Sequence, residues 1–148
     1  MAYRHALYPT DFSAASLDSL RRVIGTLPRM RYTLLHACRV AGEGSMRMAG
    51  VSDAVREGCR RRAERTARAA GHRFMAQLPP CDVRLVLVSG RPWTAAVAAH
   101  AALARPDLLV LDGIRGGILD RWRWSARLRA LSRQTGCDLL LLPHARAD

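Results

Sequence analysis

Three glycines fall within five residues where an apolar run of the chain gives way to a segment rich in Trp and Arg. Gly113, Gly116 and Gly117 lack a Cβ, so backbone N–H groups around them can converge on an anion at the start of a helix, as in phosphate-binding loops. The same glycines also suit a tight strand-to-helix turn that binds no ligand. The spacing favours the turn and keeps a phosphate site as the alternative.

Other catalytic and metal-binding patterns are missing from the sequence. All 24 basic residues are arginine, and without lysine the chain can hold neither a Walker-type phosphate loop nor a Schiff base. The G-x-S-x-G, H-E-x-x-H and G-x-G-x-x-G motifs are absent, and the histidines have no metal-ligand spacing. The cysteines form no C-x-x-C pair, so we expect each to pack as a small buried hydrophobe. We therefore predict no catalytic residue and no metal site.

The glycine segment must be positioned by its neighbours, and these alternate between apolar runs and helical patterns. Strands are expected at residues 3–8, 31–40, 81–90, 106–113 and 137–143. Helices are expected after the N-cap candidates Ser13 and Ser52, from Pro92 in the first turn of a third helix, and before Gly136. One stripe of the second helix is predicted to be buried: Val55, Cys59, Ala63, Ala67, Ala70, Phe74 and Leu78. Residues 41–53 are expected to form a mobile loop.

Five strands separated by four helices predict one α/β domain spanning residues 1–148. Right-handed crossovers favour a doubly wound, Rossmann-like parallel sheet of strand order 3-2-1-4-5 with helices on both faces. The winding reverses between strands 1 and 4, and a ligand crevice is expected beyond their carboxyl ends. "PTDFS" and "GIRGG" follow these two strands, so the glycines fall where such folds bind ligands. His36, at the end of the second strand, is expected to be a hydrogen-bonded structural residue.

The charge and hydropathy of the chain limit its partners. The net charge of +12 invites a nucleic-acid interpretation. However, the densest basic run, residues 59–68, has no aromatic side chain for base stacking and is typical of a solvated helix face, so we predict no specific nucleic-acid partner. The sequence has no run of 18 apolar residues and no signal-peptide pattern, so we expect a cytoplasmic protein without a membrane partner.

Four segments carry a resemblance that spans nearly the whole chain. "YPTDFSAASLDSLRRV" is similar to the amino-terminal signature of the universal stress protein family, and "TLLHACRV" resembles the strand that follows it. "LVLVSGRPWTAAVAAHAALARPDLLVLDG" resembles the third strand, G-x-P turn, alanine-rich helix and fourth strand of that family, and "TGCDLLLLP" resembles its closing strand. Residues 41–53 and the fourth-helix region match poorly. The resemblance implies a small cytoplasmic protein that usually dimerises and supports survival under stress, often without known catalysis.

Some members of this family bind ATP, and the resemblance implies a glycine pattern for doing so. The binders carry Gly, two residues, Gly, nine residues, and then Gly followed by Ser or Thr. Gly113 and Gly116 fit the first half of this pattern. Ala126 and Arg127 stand where the last two residues belong, with Ser125 one place early. The second half of the pattern is therefore broken.

The broken pattern has a chemical cost. An ungapped alignment back from the closing strand puts Asp112 and Arg115 at the first two glycine positions. The Cβ of an alanine hinders close approach of a phosphate, and Asp112 or Asp120 would repel one. Compensating contacts are available from Arg115, Arg121 and Arg123, and from Trp122 or Trp124 stacked on a ring. We favour core or dimer contacts for both tryptophans.

Matching positions in the family give the candidate site. The nucleotide-binding candidates are Pro9, Thr10, Asp11, Ala37, Gly113, Gly116, Gly117, Ser125 and Ala126. Thr10 and Asp11 would lie near an adenine and a ribose, although Asp11 can equally cap the first helix. The last strand often pairs with its twofold mate in this family. Its apolar edge predicts a homodimer through Leu139, Leu140, Leu141 and Leu142.

Three functions remain in competition at this point. The leading hypothesis is a stress-response regulatory protein with a degenerate nucleotide loop, no tight ATP binding and no tightly bound cofactor. The second is a family member that binds ATP with Mg²⁺, or another adenine nucleotide, through a rearranged loop. The third is an enzyme on a related adenine-nucleotide-handling fold, which is disfavoured because no nucleophile or acid–base pair stands out.

Overall fold

A computed structural model of the chain describes residues 2–113 and 118–143. The strands are β1 His5–Pro9, β2 Arg31–Cys38, β3 Asp82–Ser89, β4 Leu108–Asp112 and β5 Asp138–Leu142. The helices are α1 Ala14–Thr26, α2 Glu43–Met48, α3 Asp53–Met75, α4 Trp93–Ala104 and α5 Ile118–Thr135. The strands are parallel and ordered β3-β2-β1-β4-β5, which confirms the predicted doubly wound sheet.

Helices cover both faces of the sheet because its central strands carry apolar side chains on each face. One core joins α1 and α3 to the sheet through Leu20, Ile24, Phe74, Tyr8 and Tyr32. The opposite core joins α4 and α5 to the sheet through Val97, Ala101, Leu131, Leu7, Leu35 and Leu109. Each fully buried Leu or Ile contributes about 1.5 to 3 kcal/mol of hydrophobic free energy. The two cores hold the carboxyl ends of the strands in place.

The predicted helix ends agree with the observed capping interactions. Ser13 Oγ accepts from the backbone N–H of Ser16 at 3.2 Å, and Ser52 Oγ accepts from that of Val55 at 3.4 Å. Each bond satisfies one of the N–H groups left unpaired at a helix start. Gly136 follows α5 with φ +64°, a backbone conformation that glycine adopts without steric cost.

Two predictions about local structure were wrong. Residues 41–53 contain the short helix α2 rather than only a loop. Its first residue, Glu43, accepts a hydrogen bond from Arg60 Nε on α3 at 2.7 Å, a tertiary contact that local sequence does not reveal. The first strand begins at His5 and ends at Pro9, two residues and one residue later than expected.

The apolar stripe predicted for α3 is only partly buried. Val55 is 54% exposed, and Cys59 is half-buried, as is Cys81 before β3. The reason is length: a helix of 23 residues extends about 34 Å, whereas an eight-residue strand extends about 26 Å. The first turns of α3 therefore project beyond the sheet. Cys38 and Cys137 are buried as predicted.

Candidate functional site

A cleft opens at the carboxyl end of the sheet, where β1 and β4 separate. The two strands pair only at Ala6 with Leu108 and at Leu7 with Leu109, although β4 continues to Asp112. Beyond these pairs lies a cavity of about 710 Å³. That volume is typical of small-molecule sites, and a reversal of winding is where doubly wound sheets form them.

Five of the nine nucleotide-binding candidates come together in this cleft. Its walls include Pro9, Thr10, Asp11, Ala37 and Gly113. Two other candidates do not line it, because Ser125 and Ala126 are exposed on α5. The remaining two, Gly116 and Gly117, lie outside the described residues.

Asp112 occupies the end of β4 and lines the cleft. Tyr8 Oη, which is fully buried on β1, lies 2.7 Å from each carboxylate oxygen of Asp112 and donates to that group. Ser16 Oγ, at the start of α1, lies 3.2 Å from Asp112 Oδ2. Burial and the neighbouring carboxylate raise the pKa of Tyr8 well above its ordinary value, so its phenol stays protonated. Two strands and a helix thus fix one carboxylate at the point where the winding reverses.

The β1–α1 loop supplies a second carboxylate. Asp11 Oδ1 accepts from the backbone N–H of Ser13 at 2.9 Å, which forms a local turn. Burial opposes its ionisation, but the hydrogen bonds from Ser13 lower the pKa of Asp11 below its ordinary value. Asp11 is therefore ionised at neutral pH. Its predicted alternative role, helix capping, is filled instead by Ser13.

His36 lines the cleft next to this loop, and Phe12 packs against its ring. His36 Nδ1 donates to the carbonyl oxygen of Thr10 at 2.8 Å, so the predicted hydrogen-bonded structural role is confirmed. Its ring stacks on Phe12, with centroids 4.5 Å apart. Phe12 has φ +61°, a strained value for a bulky residue, and the stack together with packing on Phe74 holds it there.

An aromatic pair lines the opposite wall. The rings of Trp93, the first residue of α4, and Trp124 on α5 lie 5.3 Å apart at 42°. Both line the cleft. Trp122 is 69% exposed, so a core position is wrong for this residue. Trp93 was not among the predicted site residues, and the signal for it was its place after the G-x-P turn at the carboxyl end of a strand.

The cleft is acidic within a strongly basic chain. Among the described residues that line it, Asp11 and Asp112 carry negative charge and Arg39 alone carries positive charge. Arg123 is exposed on α5 and does not line the cleft. Arg115 lies outside the described residues. A phosphate entering from this side therefore meets more negative than positive charge.

A metal centre or a membrane-spanning helix in residues 2–113 and 118–143 would point to other functions. Within these ranges no three His, Cys, Asp or Glu side chains are arranged to hold a metal ion. No helix in the same ranges combines the length and the apolar character needed to cross a membrane. The cleft is the cavity that lies where the winding of the sheet reverses.

Three solved structures resemble the chain over nearly its full length. UspA, a universal stress protein from Lactobacillus plantarum, is 15% identical and has a TM-score of 0.64, with 96% of this chain and 99% of that chain covered. A universal stress protein in complex with cAMP is 20% identical, with 96% and 98% covered and a TM-score of 0.58. A family member from Burkholderia pseudomallei is 15% identical, with 96% and 97% covered and a TM-score of 0.56. At these identities the likeness is one of fold.

The amino-acid sequence provides a separate comparison. Residues 2–143 match the universal stress protein family. A comparison with curated protein sequences finds no match. The family match includes all five strands, all five helices and every described residue that lines the cleft. The resemblance inferred from the four sequence segments is therefore confirmed, and the chain belongs to the universal stress protein family.

Proposed function

We propose that this protein is a cytoplasmic stress-response regulator whose cleft does not bind ATP tightly. One observation carries the proposal: the Asp112 carboxylate, held by Tyr8 and Ser16, lines the cleft at the end of β4. The matching position in ATP-binding relatives, by the ungapped alignment, is a glycine. Asp112 therefore adds a negative charge at a position where such relatives have no side chain.

The charge on Asp112 opposes a triphosphate directly. Two unit charges 5 Å apart interact by about 3 kcal/mol at an effective dielectric constant of 20. A repulsion of that size weakens binding by about two orders of magnitude. In the other register, with Gly113 and Gly116 as the first two glycines, Ala126 and Arg127 stand where the binders have Gly followed by Ser or Thr, and a hydroxyl donor is lost. Each register therefore favours a regulatory protein with no tightly bound cofactor.

Calorimetric titration with ATP and Mg²⁺ tests this proposal on the unmodified protein. We expect no binding tighter than about 100 μM, because losing two charge-assisted hydrogen bonds already turns micromolar binding into millimolar. The double variant Ala126→Gly with Arg127→Ser is expected to bind ATP more tightly. Micromolar binding of ATP by the unmodified protein, displaced by adenosine from the cleft, would contradict the proposal.

A second candidate function has its own support. The cleft holds an aromatic pair, Trp93 and Trp124, and one structure of the same fold is a complex with cAMP. An adenine nucleotide could then bind with its ring against these tryptophans. Mass spectrometry of the gently denatured purified protein separates the candidates. A carried nucleotide supports the second function, and its absence supports the first.

We also propose that the protein acts as a homodimer through β5. This strand is an edge of the sheet, and Leu141 on it is 49% exposed. An exposed apolar edge strand that stays unpaired promotes aggregation. Pairing with the same strand of a second copy would cover Leu139 to Leu142. It would also give hydrogen-bond partners to the unpaired backbone N–H and C=O groups of this edge.

A further inference from the structure

A second concave site lies beside the cleft, at the carboxyl ends of β2 and β3. Its volume is about 280 Å³. We call it the basic pocket, and its lining residues are Cys38, Arg39, Val40, Glu43, Arg47, Arg60, Gly90, Arg91 and Pro92. The four arginines come from four different segments: the end of β2, α2, α3 and the β3–α4 turn. Only the folded chain brings them together.

The charges in the basic pocket do not balance. Glu43 is the one acidic residue of its lining, and it pairs with Arg60, whose Nε lies 2.7 Å from Glu43 Oε1. In the described part of the chain, Arg39, Arg47 and Arg91 make no ion pair. By contrast, other arginines of the chain have carboxylate partners, such as Arg31 with Asp82. Three cations are thus left facing one small concavity.

The backbone adds to this positive potential. Gly90 adopts φ +76°, which turns the chain sharply between β3 and α4 and places Arg91 at the pocket. Pro92 occupies the N-cap position of α4, and no side chain caps that helix. The first N–H groups of a helix carry a partial positive charge and have no acceptor within the helix. The α4 N-terminus and the three arginines therefore favour the same kind of ligand, an anion.

We propose that the basic pocket binds a compact phosphorylated anion, with Arg39, Arg47 and Arg91 as its charge partners. Guanidinium groups match the geometry of phosphate oxygens and bind them with paired hydrogen bonds. An anion there also relieves the mutual repulsion of three like charges. This site is distinct from the glycine segment after β4 and does not depend on the proposed function of the cleft. The phosphate group is either free or carried by a nucleoside.

Titration calorimetry with inorganic pyrophosphate tests the proposal. The test variant is the triple change Arg39→Gln, Arg47→Gln and Arg91→Gln. The matched control removes the same charge at exposed arginines outside the pocket, through Arg22→Gln, Arg65→Gln and Arg73→Gln. We expect one pyrophosphate per chain, at least about tenfold weaker binding in the test variant, and a change under about threefold in the control. Equal weakening in both variants, or no binding by the unmodified protein, would overturn the proposal.

Further arms of the experiment identify the source of the phosphate. Arg39 lines both the basic pocket and the cleft, so a nucleoside monophosphate can reach from one to the other. If AMP binds more tightly than pyrophosphate and this binding is lost in the test variant, the phosphate bound in the pocket is carried by a nucleoside. If AMP binds equally or more weakly, the ligand is the free anion. An oligonucleotide that binds more tightly than pyrophosphate and AMP, with equal affinity for the test and control variants, would overturn the proposal. Such binding would show that the chain attracts polyanions through its overall positive charge.

Two controls separate this proposal from the others. The single variant Arg91→Gln changes only an exposed turn residue, so it reports on pyrophosphate binding even where the triple variant does not fold. ATP binding that is weakened by Arg91→Gln but unchanged by Asp112→Asn belongs to the basic pocket and leaves the proposed function of the cleft intact, because Arg91 does not line the cleft. ATP binding that is lost in Asp112→Asn but unchanged in Arg91→Gln contradicts that function and leaves the pocket intact.

Discussion

The phenol of Tyr8 lies 2.7 Å from each carboxylate oxygen of Asp112 and ties the end of β1 to the end of β4. Backbone pairing between these strands stops at Leu7 and Leu109, before this contact. Beyond these residues, hydrogen bonds between side chains connect the two strands in place of backbone pairing. The side chains of Tyr8 and Asp112 join the two strand ends at the cleft and place a negative charge on its wall.

Removing the hydroxyl group of Tyr8 tests how much this hydrogen bond contributes to stability. Tyr8→Phe is expected to lower the free energy of unfolding by about 1.5 to 3 kcal/mol, because a hydrogen bond to a charged group is lost. Tyr32→Phe is the matched control, since Tyr32 donates to a neutral acceptor, the carbonyl oxygen of Leu27, at 2.6 Å. Its expected cost is about 0.5 to 1.5 kcal/mol. Urea unfolding of both variants decides the matter, and a smaller loss for Tyr8→Phe than for Tyr32→Phe would contradict this account.

His5 makes the stability of the fold depend on pH. Burial, and then the nearby Arg31, lower the pKa of His5 below its ordinary value of 6.5, and its Nε2 is hydrogen-bonded to Thr33 Oγ1 at 2.8 Å. The unfolded chain thus binds a proton more readily than the folded chain. The stability linked to His5 is complete above about pH 6.5 and is lost as pH falls through the lower, folded pKa.

The corresponding measurement is the free energy of unfolding between about pH 7.5 and about pH 5. This range extends about one pH unit or more to each side of the ordinary His pKa. We expect stability to fall on acidification, and to fall less steeply in His5→Asn. His72→Asn removes an exposed histidine of α3 and serves as the control for the substitution itself. Identical slopes in all three proteins would show that His5 has no such role.

Leu141 tests the proposed dimer. Leu141→Arg places a charge on the exposed edge strand and is expected to shift a dimer toward monomer in sedimentation velocity experiments at micromolar concentration. Leu103→Arg is the control, because Leu103 is 85% exposed on α4, away from β5. It should leave the assembly unchanged. A stable monomer of the unmodified protein at the same concentration is the outcome that rules the dimer out.

Local sequence was sufficient to predict the fold because each strand is a short apolar run between helical patterns. The N-caps Ser13 and Ser52 and the terminating Gly136 were predictable because they act within one turn of the chain. Helix α2 was not, because it depends on the contact between Glu43 and Arg60 on another helix.

The candidate site was predictable only in part, for a similar reason. Thr10 follows β1 and Ala37 lies at the end of β2, and the carboxyl ends of these strands meet in a parallel sheet, so topology alone places both residues in the cleft. The pairing of Trp93 with Trp124 depends on how two helices pack, and the convergence of arginines on the basic pocket depends on four separate segments. Neither arrangement has a spacing that a sequence pattern can show.

The most direct test of the central claim compares ATP with adenosine at a single altered charge. Asp112→Asn keeps an oxygen to accept from Tyr8 and removes only the negative charge. Calorimetry is expected to show at least about tenfold tighter binding of ATP with Mg²⁺ to this variant and a change under about threefold for adenosine, which carries no phosphate. ATP binding that is equally weak with and without the charge, or already tight in the unmodified protein, would contradict the claim that Asp112 keeps the triphosphate out of the cleft.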